Sequence, residues 1–146
     1  MAIGVFTGPS ALAMDAKGRL AMPTRHREPL VALCGGRLTL TKHPSGCLML
    51  IPEPTWQAML DELLKLPMEA AGWRRFLLGS AQEAEMDGAG RLLIAPELRS
   101  FAKLQRDLML MGVGRHFELW DAATYALDEA KTMDSPMPDS LKSFVF

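Results

Sequence analysis

Met14-Asp15-Ala16-Lys17-Gly18-Arg19-Leu20, followed by Arg27, returns 72 residues later as Met86-Asp87-Gly88-Ala89-Gly90-Arg91-Leu92, followed by Arg99. Six of the fourteen positions from 14 to 27 are identical to their counterparts, where average composition gives about one by chance. A fixed-offset repeat decides the architecture before any single element does. The likeness continues at slightly smaller offsets: Leu38-Thr39-Leu40 faces Leu108-Met109-Leu110, Cys47 to Leu50 faces Phe117 to Trp120, and Thr55-Trp56 faces Thr124-Tyr125. The chain therefore reads as two related halves, residues 1–80 and 81–132. A segment 133–146 follows, whose Pro136, Pro138 and serines predict a mobile tail.

Within each half the same elements are expected. Asp-x-x-Gly is turn chemistry, because the carboxylate can accept backbone N–H groups two residues on and the glycine can take positive φ. A short apolar strand follows (Leu20 to Met22; Leu92 to Ile94), then a proline (Pro23; Pro96) suited to the start of a short helix carrying Arg27 or Arg99. Two strands come next, joined by Pro44-Ser45-Gly46 in the first half and by Gly112-Val113-Gly114 in the second. An amphipathic helix closes each half; in the first, Trp56, Met59, Leu60, Leu63 and Leu64 form one stripe that Pro67 ends. Met68 to Leu78 predicts a linking helix that the second half lacks. Each half alone is too small to hide its strands, so the two must pack together, as a pseudo-twofold β-barrel or sandwich of α+β class with short flanking helices.

The 146 residues are 49% hydrophobic and 23% charged, which suits a globular chain and excludes a disordered or low-complexity one. No apolar run reaches the roughly eighteen residues of a membrane-spanning helix, and the first charged side chain is Asp15, so no membrane association and a cytoplasmic location are expected. Cys34 and Cys47 are read as free thiols. The net charge of -1 is unevenly spread: residues 1–50 hold six basic side chains (Lys17, Arg19, Arg25, Arg27, Arg37, Lys42) against Asp15 and Glu28, and the remainder carries -5. A basic segment on an acidic body keeps a polyanionic partner in view, provided its side chains share one face.

Asp15 through Arg27 resembles the first signature of the MraZ proteins, and Leu77-Leu78-Gly79 with Glu85 through Pro96 resembles the second. The resemblance spans about residues 1–125, and either signature alone would point only to the wider AbrB-type group of swapped-hairpin DNA-binding domains. It implies a pseudo-twofold β-barrel of two AbrB-like swapped-hairpin repeats. It also implies a bacterial, cytoplasmic, nucleoid-associated regulator of transcription, assembled as a ring-shaped homo-oligomer. Such a ring would bind tandem direct repeats in double-stranded DNA upstream of its own operon, the division and cell-wall gene cluster. The family's Asp-x-x-x-Arg element maps onto Asp15 with Arg19 and onto Asp87 with Arg91. Lys17 matches the first motif, whereas Ala89 stands in its place in the second, which makes the second turn the weaker contact. Arg27 and Arg99 correspond to an arginine that touches DNA in the wider group.

On the residues alone, Arg19 and Arg91 follow a turn glycine and can project towards phosphates or a guanine edge. The plainer alternative is that each merely ties its turn through an ion pair with Asp15 or Asp87. Those two aspartates, with Gly18 and Gly90, structure the turns rather than touch DNA, since a carboxylate repels phosphate. Cys34, His43 and Cys47 match no zinc spacing, so no metal is expected. His26, among arginines on a helix, reads as a solvated surface histidine. Neither Gly88-Ala89-Gly90 nor Gly112-Val113-Gly114 makes a dinucleotide loop, and no nucleophile elbow is present. No cofactor, small-molecule substrate or enzymatic activity is expected. The alternative to DNA binding is a protein-interaction module of the same fold, antitoxin-like or scaffold-like, using its arginines as partner contacts.

Overall fold

The computed structural model describes residues 4–144 and takes both halves through the same succession of elements. The first half forms β1 (Phe6–Ala13), β2 (Arg19–Ala21), α1 (Thr24–Cys34), β3 (Arg37–Lys42), β4 (Leu48–Pro52) and α2 (Glu53–Leu64). A 3-10 turn (Met68–Ala70) and α3 (Ala71–Leu78) lead to β5 (Gln82–Glu85), β6 (Arg91–Leu93), α4 (Pro96–Phe101), β7 (Asp107–Gly114), β8 (Phe117–Asp121) and α5 (Ala122–Asp134). A second 3-10 turn covers Asp139–Leu141. None of these helices is long and apolar enough to cross a membrane.

The halves exchange strands. β1 pairs antiparallel with β7, β5 with β3, and β2 with β6. The resulting six-stranded sheet has the order β1-β7-β8-β4-β3-β5, which reads the same from either end once each strand is replaced by its repeat counterpart. Register obeys the same rule. A shift of 72 residues between β1 and β5, and of 70 between β3 and β7, carries the pair Ala13 and Asp107 onto Glu85 and Arg37. In the β2–β6 ribbon Leu20 lies opposite Leu92, so the pseudo-twofold axis passes through that pair.

Burial follows from this placement. The two leucines are 1% and 0% exposed, Met22 and Ile94 are fully buried beside them, and the neighbouring Ala21, Arg91 and Leu93 point to solvent as strand alternation requires. β4, next to the axis in the middle of the sheet, is buried at all five positions, the mark of a strand covered on both faces. One apolar cluster draws on both halves, including Leu30, Leu38 and Leu48 from the first and Leu98, Leu108 and Phe117 from the second.

Several expectations need correction. No ladder closes into a barrel among the described residues: β1 and β5 stand at opposite edges with one partner each, and the β2–β6 ribbon is a separate two-stranded sheet. The Asp turns redirect the chain after β1 and β5, and three-residue strands then reach only each other. Gly112, Val113 and Gly114 end β7 instead of forming the hairpin turn, which falls at Arg115 and His116. Gly112 faces Gly8 in register, and a Cβ there would lie 2.6 Å from the Thr7 nitrogen, so glycine serves close strand approach. His26 is not a surface residue; it is 6% exposed, edge-on to Phe6 and Phe117. The α2 stripe is only half-buried at Trp56, Met59, Leu60 and Leu63, and Leu64 is exposed.

Candidate nucleic-acid interface

Each turn is built by its aspartate. Asp15 Oδ1 accepts the backbone N–H groups of Lys17 (2.9 Å) and Arg19 (2.8 Å), while Oδ2 accepts the Arg19 Nε–H at 2.8 Å. Asp87 repeats this with Ala89 and Arg91 at 2.9 Å each and with Arg91 Nε at 2.8 Å. A backbone bond from the Gly18 or Gly90 N–H to the carbonyl of its own aspartate closes the bend. The glycines sit at φ +81° and +75°, which an L side chain adopts only under strain. The Arg19 backbone N–H is the chief influence holding the Asp15 carboxyl below its ordinary range, with the Arg19 side chain and the Lys17 N–H adding to it; Asp87 is held down likewise by Arg91, then Ala89. Both carboxylates therefore stay ionised and both turns stay tied at neutral pH.

The ion pair, which the sequence offers as the plainer alternative, is present at both turns. Each arginine spends its Nε on the carboxylate, and its terminal Nη groups have no partner among the described residues. In the β2–β6 ribbon Arg19 pairs with Leu93 and Arg91 with Ala21. Arg19 and Arg91 are thus diagonal neighbours on one face, a relation that brings their residues within about 7–8 Å. Both arginines belong to one face of the ribbon, each held through Nε by its own carboxylate. Lys17 is exposed at the crest of the first turn, where the second has Ala89.

The rest of the N-terminal basic cluster disperses. Arg25 donates through Nη2 to the Pro9 carbonyl and the Ser10 hydroxyl, both at 2.9 Å, and so fastens α1 to β1. Arg37 is paired with Glu53 at 2.6 Å, and Lys42 lies over the rings of Phe76 and Phe101. Arg27 donates from Nε to the Met22 carbonyl at 2.6 Å, and Arg99 buries its Nε without a partner among the described residues. Of the six cationic residues, only Lys17 and Arg19 remain presented at the turn. Arg74, on α3, is likewise engaged within the fold. Its guanidinium donates to the carbonyls of Leu63, Leu66 and Pro67, tying α3 to the end of α2.

Cys34 takes no part in a ligand cluster, since its thiol donates to the Leu30 carbonyl within α1. His43, Cys47 and Glu118 do converge, their ligand-type atoms lying within 4.8 Å of one another. His43 Nδ1 accepts the Ser45 N–H at 2.9 Å, which leaves the ring proton on Nε2, 3.5 Å from the Glu118 carboxylate. Trp120 Nε1–H donates to the same carboxylate at 2.9 Å. Burial pushes the Cys47 thiol up, away from the thiolate a metal needs, and the negative charge of Glu118 adds to it. The trio sits where the two hairpins meet, with the imidazole Nε2 turned to the carboxylate.

A family model described as "MraZ protein, putative antitoxin-like" matches residues 5–78 and again residues 77–140. Curated relatives match over 142 residues, 97% of this chain and 100% of theirs: transcriptional regulator MraZ of Acidovorax sp. (strain JS42) at 54% identity, that of Cupriavidus taiwanensis at 56% and that of Ralstonia pickettii (strain 12J) at 56%.

Proposed function

The chain belongs to the MraZ family, and from that premise we propose that it regulates transcription by binding DNA through the paired turns, with Lys17 and Arg19 as the main contacts and Arg91 as a weaker one. The observation that carries this reading is the pair of arginines, each held by its own carboxylate, on one face of the β2–β6 ribbon. Nothing in that surface resembles a reaction centre: it has no pocketed nucleophile, base or orienting group.

Residues 1–80 and 81–132 act as two AbrB-like swapped-hairpin repeats of one structural unit, with 133–146 as an appendage. The exchange of β1 and β5 between halves supports this. One copy offers two to four phosphate contacts, too few for tight binding at physiological salt. A ring of copies joined head to tail would present the same turns repeatedly and gain about 10² or more in effective affinity. The unpaired outer edges of β1 and β5 and the exposed Trp73 and Val31 supply surface for such joints. Subunits following each other around a ring meet the duplex in one orientation, so the operator consists of tandem direct repeats, upstream of the division and cell-wall genes, spaced near the helical repeat of about 10–10.5 base pairs. The protein works in the cytoplasm at the nucleoid.

Sedimentation and mobility-shift titration on repeats with and without a half-turn insertion test this. A closed oligomer whose affinity drops sharply on the half-turn spacing is expected. A monomer that binds tightly, or an oligomer indifferent to spacing, overturns the ring and the direct-repeat operator.

A further inference from the structure

Gly18 and Gly90 are buried although the turns around them are exposed, and what buries them comes from the other repeat. A Cβ built on Gly18 would lie 2.6 Å from Arg99 Cζ and Nη1 and 2.9 Å from Nε. One built on Gly90 would lie 2.7 Å from Arg27 Cδ and 3.0 Å from its Cζ. Each guanidinium therefore lies in van der Waals contact against the bare Cα of the opposite turn, in space that any side chain would take. The backbone crosses in the same way: Met22 N–H donates to the Gly90 carbonyl at 2.8 Å, and Ile94 N–H to the Gly18 carbonyl at 2.9 Å. The offset of 72 maps every one of these contacts onto its partner. The glycines thus answer two demands at once, positive φ and a flat underside for a planar cation.

Resting on the DNA-binding reading above, we propose that Arg27 and Arg99 are positioning residues and not DNA contacts: each is a strut under the other repeat's turn, so that Arg99 sets the height of Lys17 and Arg19 while Arg27 sets that of Arg91. Three features support this. Both side chains are half-buried, whereas Lys17 is exposed. Arg27 has its Nε committed to the Met22 carbonyl. Arg99 buries its Nε with no acceptor among the described residues, a cost of position that a side chain free to reach out to phosphate would shed by moving. A planar, delocalised guanidinium can lie flat against a peptide turn, and a lysine ammonium cannot. Because each strut comes from the opposite half, neither turn can be set without the other repeat, which accounts for two DNA-facing loops held as one element.

The test compares Arg99→Met, Arg99→Lys, Arg27→Met and Arg19→Ala in the full-length protein. One readout is operator affinity against salt; the other is hydrogen exchange of turn residues 15–19 and 87–91 without DNA. Arg99→Met is expected to speed exchange at 15–19 more than at 87–91, with Arg27→Met showing the reverse. Operator affinity should fall while the log–log salt slope keeps its wild-type value, unlike Arg19→Ala, which removes about 0.9 from the slope per lost phosphate contact. Arg99→Lys should not restore wild-type exchange or affinity. A slope reduced as in Arg19→Ala, with exchange at 15–19 unchanged and affinity rescued by lysine, means direct phosphate contact and overturns the proposal. If the wild-type protein binds no DNA, the functional reading fails, while the crossed exchange pattern still decides on the struts. Should Arg99→Met not fold, the exchange pattern of Arg99→Lys decides in the same way.

Discussion

The two turns are copies in geometry and unequal in chemistry. Each carboxylate accepts the same two backbone N–H groups and the same Nε–H, and the two Arg–Asp pairs are both 2.8 Å long. Yet the first turn carries Lys17 where the second has Ala89, β1 extends its ladder over eight residues where β5 manages four, and α1 runs eleven residues against six in α4. Backbone demands are met twice because each half lends strands to the other. Demands on the crest are free to differ, since Lys17 and Ala89 are both exposed there. The duplicated aspartates and glycines hold the turns, and Lys17 against Ala89 is where their exposed crests differ.

The comparison breaks most visibly in DNA binding. Arg19→Ala should cost about 1–3 kcal/mol per engaged subunit if it contacts guanine bidentately. In an assembly the losses multiply, so operator binding should nearly vanish while Arg91→Ala does less harm. Mobility shift at fixed salt, with the oligomer checked by light scattering, decides it. A folded, oligomeric Arg19→Ala protein with wild-type affinity would promote the protein-interaction reading.

Stability should show symmetry where binding does not. Leu20 and Leu92 meet on the pseudo-twofold axis at 1% and 0% exposure. Truncating either to alanine leaves a cavity and should cost about 2–5 kcal/mol, with the two variants agreeing in denaturant midpoint. A large inequality between them would mean that the halves contribute unequally to the core. A smaller effect sharpens the difference at the crest. Ala89→Lys should steepen the salt dependence of binding by about 0.9 per engaged turn, and Lys17→Ala should flatten it by as much, neither altering thermal stability.

Much of this was legible from residues 14–20 and 86–92. The repeat, the Asp-built turns, the short strand after each and the helix carrying Arg27 or Arg99 all depend on local chemistry that neighbours in sequence dictate. What could not be read was pairing between halves. Nothing local tells β1 to seek β7, so an open six-stranded sheet and a separate ribbon stood in place of the expected barrel. The fate of the basic cluster escaped for the same reason: whether Arg25 reaches DNA or Pro9 depends on which strand lies beside α1. Gly18 and Gly90 read as turn glycines, but their contact with an arginine 81 or 63 residues away leaves no mark in the local pattern.

His26 offers the finest test, because the repeat supplies its control. The offset of 72 places it on Leu98, and both are buried. One half therefore fills with an ionisable ring a site that the other fills with hydrocarbon. Burial lowers the His26 pKa below its ordinary value, and the charge of Arg25, whose Nε–H donates to His26 Nε2 at 3.2 Å, lowers it further. The fold thus favours the neutral ring. Below the unfolded-state pKa of about 6.5 the unfolded chain binds the proton more readily than the native one, so stability is full above that pH and is lost as pH falls through the depressed native value. His116 is lowered in the same sense, chiefly by burial, so it supplies part of the same loss. Asp15 and Asp87, held below the ordinary carboxylate value, act only in more acid solution. His26→Leu should leave the protein folded at neutral pH and reduce, without abolishing, the fall in melting temperature between about pH 7.5 and about pH 5. The expected change is a shallower slope across that window, with the His116 share remaining. A variant as acid-sensitive as the wild type would mean that the ring is solvated in the native protein, and the equivalence of His26 with Leu98 would then be one of position without a shared environment.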